Sequence, residues 1–428
     1  MRRQIITLAV TFAIMIAAFG APVSAQEDVT LRLWMHQNQA FIDATQTLAD
    51  AYMAENPNVT IEVENFEYSL FIQTLQTSMA AGDEADIMQM FGSWVCSYAD
   101  SLAAMPADMA AEIDDTVIFP AQLGGYDCGG ELYGIPQEYN IEYGAVLVNP
   151  RMYEAEGLEY PPTWETWDDL IVDAQALTKM GDDGQMSVAG YNFINYDALY
   201  FLFLSEILQR GGEYWNEDQT ALVLDTPEVT ATLEHLLSMV EAGVIDPVLY
   251  NGDNNWVGES FFTDLVGIGF IGPWIVAGAL NDYPDFGDFG YLPHPHINEE
   301  EPRFAADAGW GMTVSPNSPN QEVAWDFIKF ATTTPDLALG WNVTSGTIPA
   351  LRALVEDEDY QAQLLEEFPW IAPNLPVLEY GSYVGPLPNR DLFVVDILYP
   401  NLLAMFQGEL SVEEAQQYIV EDSAAMFD

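Results

Sequence analysis

The sequence predicts an α/β protein of two lobes, on three observations. Segments with strand alternation and segments with helical spacing take turns along the chain, the pattern of open sheets flanked by helices. The chain is 428 residues long, more than one core of roughly 250–300 residues accommodates. It also carries no internal repeat, low-complexity run or long flexible linker, so the two domains are expected to be joined by several short crossings.

In chain order, the first segment reads as a leader. Arg2 and Arg3 precede an apolar run over 5–19, which Gly20-Ala21-Pro22 breaks and Val23-Ser24-Ala25 closes. A basic start, an apolar stretch short for a bilayer and small residues at a cut point describe a cleavable signal peptide over 1–25. No cysteine near Ala25 could carry a lipid. The mature chain of about 403 residues is therefore expected in the periplasm or outside the cell, with no stable membrane insertion.

Val29-Thr30-Leu31-Arg32-Leu33-Trp34 and Val59-Thr60-Ile61-Glu62-Val63 alternate as strands do, and Phe41, Thr45, Leu48 and Tyr52 recur between them at helical spacing. A helix over 69–81 stops at Gly82 and leads into a strand over 86–90. Strands over 132–136 and 144–149 cross out of the first domain. Helices are expected over 164–180, 196–210 and 227–242, strands over 266–271 and 309–315, and helices over 321–332, 392–406 and 412–426.

Charge excludes whole classes of partner. Ten basic residues face 67 acidic ones, a formal net charge of −57, which repels nucleic acid and anionic headgroups. The carboxylates are spread along the chain and are read as a solvated surface suited to a salty medium. The two cysteines, Cys96 and Cys128, are expected to form a structural disulfide, the commoner fate of a pair in an exported protein.

Several stretches, in order, resemble the extracellular solute-binding proteins of the maltose-binding type. Ala51-Tyr52-Met53-Ala54-Glu55-Asn56-Pro57-Asn58-Val59 is similar to the family's first helix and second strand. Ala81-Gly82-Asp83-Glu84-Ala85-Asp86-Ile87 resembles its Gly-x-x-Pro-Asp segment, with Ala85 in place of the proline. Leu132-Tyr133-Gly134-Ile135-Pro136 and Pro161-Pro162-Thr163-Trp164 resemble its entries to the first crossing and to the second domain. Ile271-Gly272-Pro273-Trp274, Gly309-Trp310-Gly311 and Ala324-Trp325-Asp326-Phe327 continue the series. The resemblance implies a periplasmic-binding-protein type II fold, hinged around a cleft. One lobe would comprise residues 26–140 plus about 303–345, and the other about 141–302 plus 346–428. It also implies a monomeric receptor of an ABC-type importer that delivers its solute to a membrane permease, with no enzymatic step and no cofactor.

Neutral sugars require flat aromatic faces for their C–H surfaces and fixed polar groups for their hydroxyls. Both kinds recur where strands end. The candidate ligand-binding residues are Trp34, His36, Asn38, Ser93, Trp94, Glu138, Asn140, Tyr143, Asn192, Trp256, Trp274, Asp307, Trp310 and Arg390. Arg390 is read equally as a fork onto a ligand oxygen or as the partner of a surface acid. Trp164, Trp167 and Trp325 sit at core spacing, and Trp215 and Trp341 are assigned to neither role. The leading ligand is a mono- or oligosaccharide. A cationic or zwitterionic solute in an aromatic cage is the alternative, and a secreted glycoside hydrolase is the competing enzymatic class.

Two further signals are set aside. Gly267-Ile268-Gly269-Phe270-Ile271-Gly272 spells a dinucleotide fingerprint, but its glycines fall inside a strand pattern instead of a turn that opens a helix. His294 and His296 could begin a zinc site, yet no other His or Cys is nearby in sequence, and the stretch is read as a surface loop with no metal.

Overall fold

The computed structural model describes residues 28–427 apart from 142–143, 194–195, 246–256, 271, 273–282, 284–285, 287–288 and 299–300. The signal-peptide segment and three candidate residues, Tyr143, Trp256 and Trp274, lie outside the described residues.

Strand β1 (Val29–His36) lies beside β2 (Val59–Phe66) and β3 (Ile87–Phe91), parallel to both. Helix α1 (Gln39–Glu55) links the first two strands and α2 (Tyr68–Ala81) links the second pair. The Asn38 side chain caps α1 by accepting the amides of Ala40 and Phe41. Gly82 ends α2 at φ 70°, a left-handed conformation that glycine adopts without penalty. β4 (Gly134–Pro136) and β12 (Trp310–Val314) complete a sheet of order β2-β1-β3-β12-β4, with β12 antiparallel to both neighbours.

The second sheet has the order β10-β6-β9-β8-β7. Its members are β6 (Ala145–Val148), β7 (Lys179–Met180), β8 (Met186–Phe193), β9 (Val266–Phe270) and β10 (Gly290–Pro293). All of β9 is buried, so Gly267 and Gly269 of the dinucleotide-like spelling lie in a core strand and not in a turn that opens a helix. The helix expected over 164–180 is Trp167–Leu177, because Thr166 and Asp169 form a capping box that fixes its start. Trp164 precedes that helix and donates its indole N–H to Asp173 at 2.8 Å. The helix expected over 392–406 divides into a π-helical stretch, Leu392–Leu398, and an α-helix, Tyr399–Phe406.

Apolar residues collect into two cores. The first contains Leu33, Phe41, Phe71, Ile87, Met312, Trp325 and Trp341. The second contains Leu147, Leu170, Tyr191, Phe203, Ile268, Phe393 and Ile419. Successive buried residues pass from one core to the other between Ile135 and Tyr139, and again between Ala306 and Ala308. Two short ladders stand at these passages: β5 (Glu138–Tyr139) with β13 (Ile348–Pro349), and β11 (Phe304–Ala306) with β14 (Gly381–Tyr383). Short paired passages of this kind suit a hinge better than a tether does.

Candidate functional site

The parallel strands β1, β2 and β3 all end at one edge of the first sheet, and the antiparallel β12 starts there. Open α/β sheets hold ligands at this edge. The His36 ring lies on Trp310 with centroids 4.3 Å apart and planes 17° from parallel. Trp94 stands edge-on to Trp310 at 5.3 Å, while Phe91 and Tyr68 approach the same indole at 5.1 and 6.4 Å. Trp94 is half-buried and Tyr68 is 47% exposed, so the cluster presents aromatic surface to solvent. Burial lowers the His36 pKa to about 4 against an opposing hydrogen bond to Gln89, so the ring is neutral near pH 7.

A polar layer lies where the chain passes between the cores. Glu138 Oε1 accepts the Trp310 amide at 3.0 Å, which ties the first passage to the aromatic cluster. Buried Gln122 accepts the amides of Asn140 at 3.2 Å and Gly309 at 2.8 Å, joining two passages through one side chain. Packing there is close: a Cβ on Gly92 would stand 2.2 Å from that of Ala308. Ser93 donates to fully buried Asp307 at 3.4 Å. Burial drives the Tyr200 and Tyr383 hydroxyls up; Asp307 adds to that shift and Arg390 opposes it, which places all four in one electrostatic neighbourhood. The Arg390 guanidinium lies 5.6 Å from the ring centres of Tyr200 and Phe201, and 3.5 Å from exposed Asp391.

The structure thus brings His36, Trp94 and Trp310 into one cluster, and Glu138, Asn140 and Asp307 to the passages beside it, with Ser93 bonded to Asp307 and Arg390 near the same tyrosines as Asp307. Trp34 is placed differently. Its indole N–H ends on Glu64 at 2.6 Å, its edge meets Phe66 and the Arg32 guanidinium covers its ring at 4.8 Å. Asn38 uses its side-chain oxygen to cap α1. Asn192, 2% exposed, sits near the end of β8 opposite Gly269. Trp341 is core, and Trp215 donates to the Val384 carbonyl at 2.8 Å.

His294 corrects the surface-loop reading. It is 5% exposed, its ring lies on Trp167 at 5.1 Å and its Nε2 is 2.9 Å from the Tyr191 hydroxyl. The pairing with Tyr191, distant in sequence, could not be read from the local Pro-rich pattern. Among the described residues no three His, Cys, Asp or Glu side chains converge to hold a metal ion.

Sequence reasoning missed Tyr68, Gln89 and Gln122. For Tyr68 a signal was present: β2 runs on to Phe66, so Tyr68 follows a strand end just as His36 and Trp94 do. The two glutamines had no such mark, because their roles rest on long-range bonds to main-chain amides.

A family model described as bacterial extracellular solute-binding protein matches residues 38–337. The chain belongs to this family. Membership makes it a solute-binding protein and not an enzyme. A Brucella abortus protein named only as a binding protein is 24% identical over 290 residues, 65% of this chain. That aligned stretch spans 66% of the relative's own length. The maltotriose-binding protein of Pyrococcus abyssi is 23% identical over 333 residues, covering 76% of this chain and 68% of that one. In three dimensions, the cyclic alpha-maltosyl-1,6-maltose binding protein from Arthrobacter globiformis superposes with a TM-score of 0.76 at 21% identity, over 93% of this chain and 98% of that one. The family fold of two α/β lobes is therefore the fold of this chain.

Proposed function

We propose that this extracellular solute-binding protein captures a neutral mono- or oligosaccharide between its lobes and delivers it to the permease of an ABC-type importer. The observation that carries the reading is the His36–Trp310–Trp94–Tyr68 cluster, aromatic surface left open at the strand ends of the first lobe beside a polar passage. Sugar C–H faces fit such rings, and Glu138, Asn140, Asp307 and Arg390 would supply the polar groups that hydroxyls need. The names of relatives that bind maltotriose and cyclic maltosyl-maltose support the same ligand class. In this reading, residues 1–25 are removed on export and the two bodies that close are 26–140 with about 303–345, and about 141–302 with 346–428. Asn192 would contribute to the cleft from the second body. Closure is driven by tighter ligand binding in the closed state.

The test is a thermal-shift and small-angle scattering screen of mature protein with maltotriose, other oligosaccharides, betaine and polyamines. A sugar that raises the melting temperature and reduces the scattering radius supports the reading. A response to betaine or a polyamine alone would replace it with the cation-cage alternative, and glycosidic turnover would sink it.

A further inference from the structure

Gln89, on β3, bonds twice to one residue of the neighbouring strand. Its Oε1 accepts the main-chain N–H of His36 at 3.2 Å and meets the ring Nδ1 of the same residue at 2.7 Å. A main-chain N–H can only donate, so it fixes the oxygen of the Gln89 amide, not its nitrogen, toward His36. That oxygen in turn requires the ring proton to sit on Nδ1. A neutral ring then carries a lone pair on Nε2. Among the described residues this Nε2 has no hydrogen-bond partner, yet it is not one of the sealed, unsatisfied side-chain atoms. It belongs to the ring that lies on Trp310, with the 47%-exposed Tyr68 edge-on to it at 6.2 Å. The arrangement has a cost, since Gln89 is 2% exposed and its own Nε2 is buried without a partner. Its strand neighbours are Met88 and Met90; a residue there for packing alone would avoid that penalty by being apolar as well.

We propose that Gln89 is a positioning residue for ligand recognition: by holding His36 as the Nδ1–H tautomer flat against Trp310, it makes the ring's Nε2 a fixed acceptor that selects ligands donating a hydroxyl there. The proposal rests on the sugar-binding reading and adds to it the atom that reads a hydroxyl and the residue that aims it. A ligand offering only C–H surface or a quaternary ammonium has no donor for this nitrogen and gains nothing from it.

The experiment pairs imidazole 15N NMR with maltotriose titration. In wild-type apo protein near pH 7, His36 is expected to show a protonated Nδ1 and an unprotonated Nε2. Gln89→Met should mix the two tautomers and weaken maltotriose about tenfold, the size of one neutral hydrogen bond. Should Gln89→Met fail to fold, His36→Phe keeps an aromatic ring on Trp310 but removes Nε2, and the same tenfold loss is expected with folding retained. An Nε2–H tautomer in the wild type overturns the proposal. So does a Gln89→Met protein whose tautomer and affinity are unchanged, or a His36→Phe protein that binds as tightly as wild type. Wild-type protein that shows the Nδ1–H form but binds no sugar overturns the functional reading and the ligand selection drawn from it, while the NMR result still supports the Gln89–His36 lock.

Discussion

Two histidines of this chain lie on tryptophans, one against each core, and their fates differ. His36 stacks on Trp310 at 4.3 Å and 17°, and His294 stacks on Trp167 at 5.1 Å and 22°. Both are kept neutral by burial, with pKa lowered to about 4 for His36 and to about 3 for His294. In each, one ring nitrogen is engaged, by Gln89 in the first case and by Tyr191 in the second. The other nitrogen makes the difference. His294 Nδ1 is sealed without a partner in a ring that Phe270 meets edge-on at 4.5 Å, whereas His36 Nε2 is not sealed, in a ring that exposed Tyr68 meets edge-on at 6.2 Å. The same pair of residue types is therefore core in one lobe and candidate binding surface in the other, according to what covers the remaining nitrogen.

Acidification should strain both stacks and gives the largest expected effect. A histidine whose folded pKa is depressed binds fewer protons folded than unfolded, so its contribution to stability is intact above pH 6.5 and is lost as pH falls toward its folded value. From the shifts to about 4 and about 3, the two together would remove on the order of 8 kcal/mol by pH 3, at about 1.4 kcal/mol per unit. Urea melts from pH 7.5 down to pH 3 should show this; the two single variants should flatten the slope alike above pH 4, and between pH 4 and pH 3 only His294→Phe should flatten it. Equal slopes in all three proteins would erase the contrast.

Trp167→Ala is expected to cost about 3–5 kcal/mol, as truncation of a buried aromatic ring does, because Trp167 packs on His294, His235 and Tyr191. Removing the Cys96–Cys128 bridge by double serine substitution should cost about 3–4 kcal/mol for a closed loop of this length. The bridge anchors the turn after Trp94, and among the described residues the second lobe has no counterpart. Trp94→Ala carries the smallest stability cost, about 1 kcal/mol at a half-buried site, but should weaken sugar binding by about tenfold through loss of a stacking face. Calorimetric titration beside a urea melt separates the two outcomes. A Trp94→Ala protein that is badly destabilised and still binds would reverse the assignment of site and core.

The distribution of charge sets the conditions for all of these measurements. A formal net charge of −57 opposes compaction, and added salt screens it. Melting temperature should therefore rise with sodium chloride in wild type and variants alike, so comparisons belong at one ionic strength.

What the sequence determined alone was the succession of elements. Alternation marked β1 and β2, helical spacing marked α1, Gly82 marked the end of α2, and strand ends pointed to His36, Trp94 and Trp310, because period and punctuation are local properties of a chain. Tertiary structure decided the rest. Trp34 and His36 are two residues apart on one strand, and only the neighbours supplied by β2 and β12 settle that one indole meets Glu64 while the imidazole meets Trp310. His294 looked like a loop residue until Tyr191 and Trp167, far away in sequence, closed over it. Gln89 and Gln122 carry no local signature, since a glutamine's meaning lies in which distant amides reach its oxygen. Burial and hydrogen-bond partnership are properties of neighbours in space, and a linear pattern specifies those only through the fold it produces.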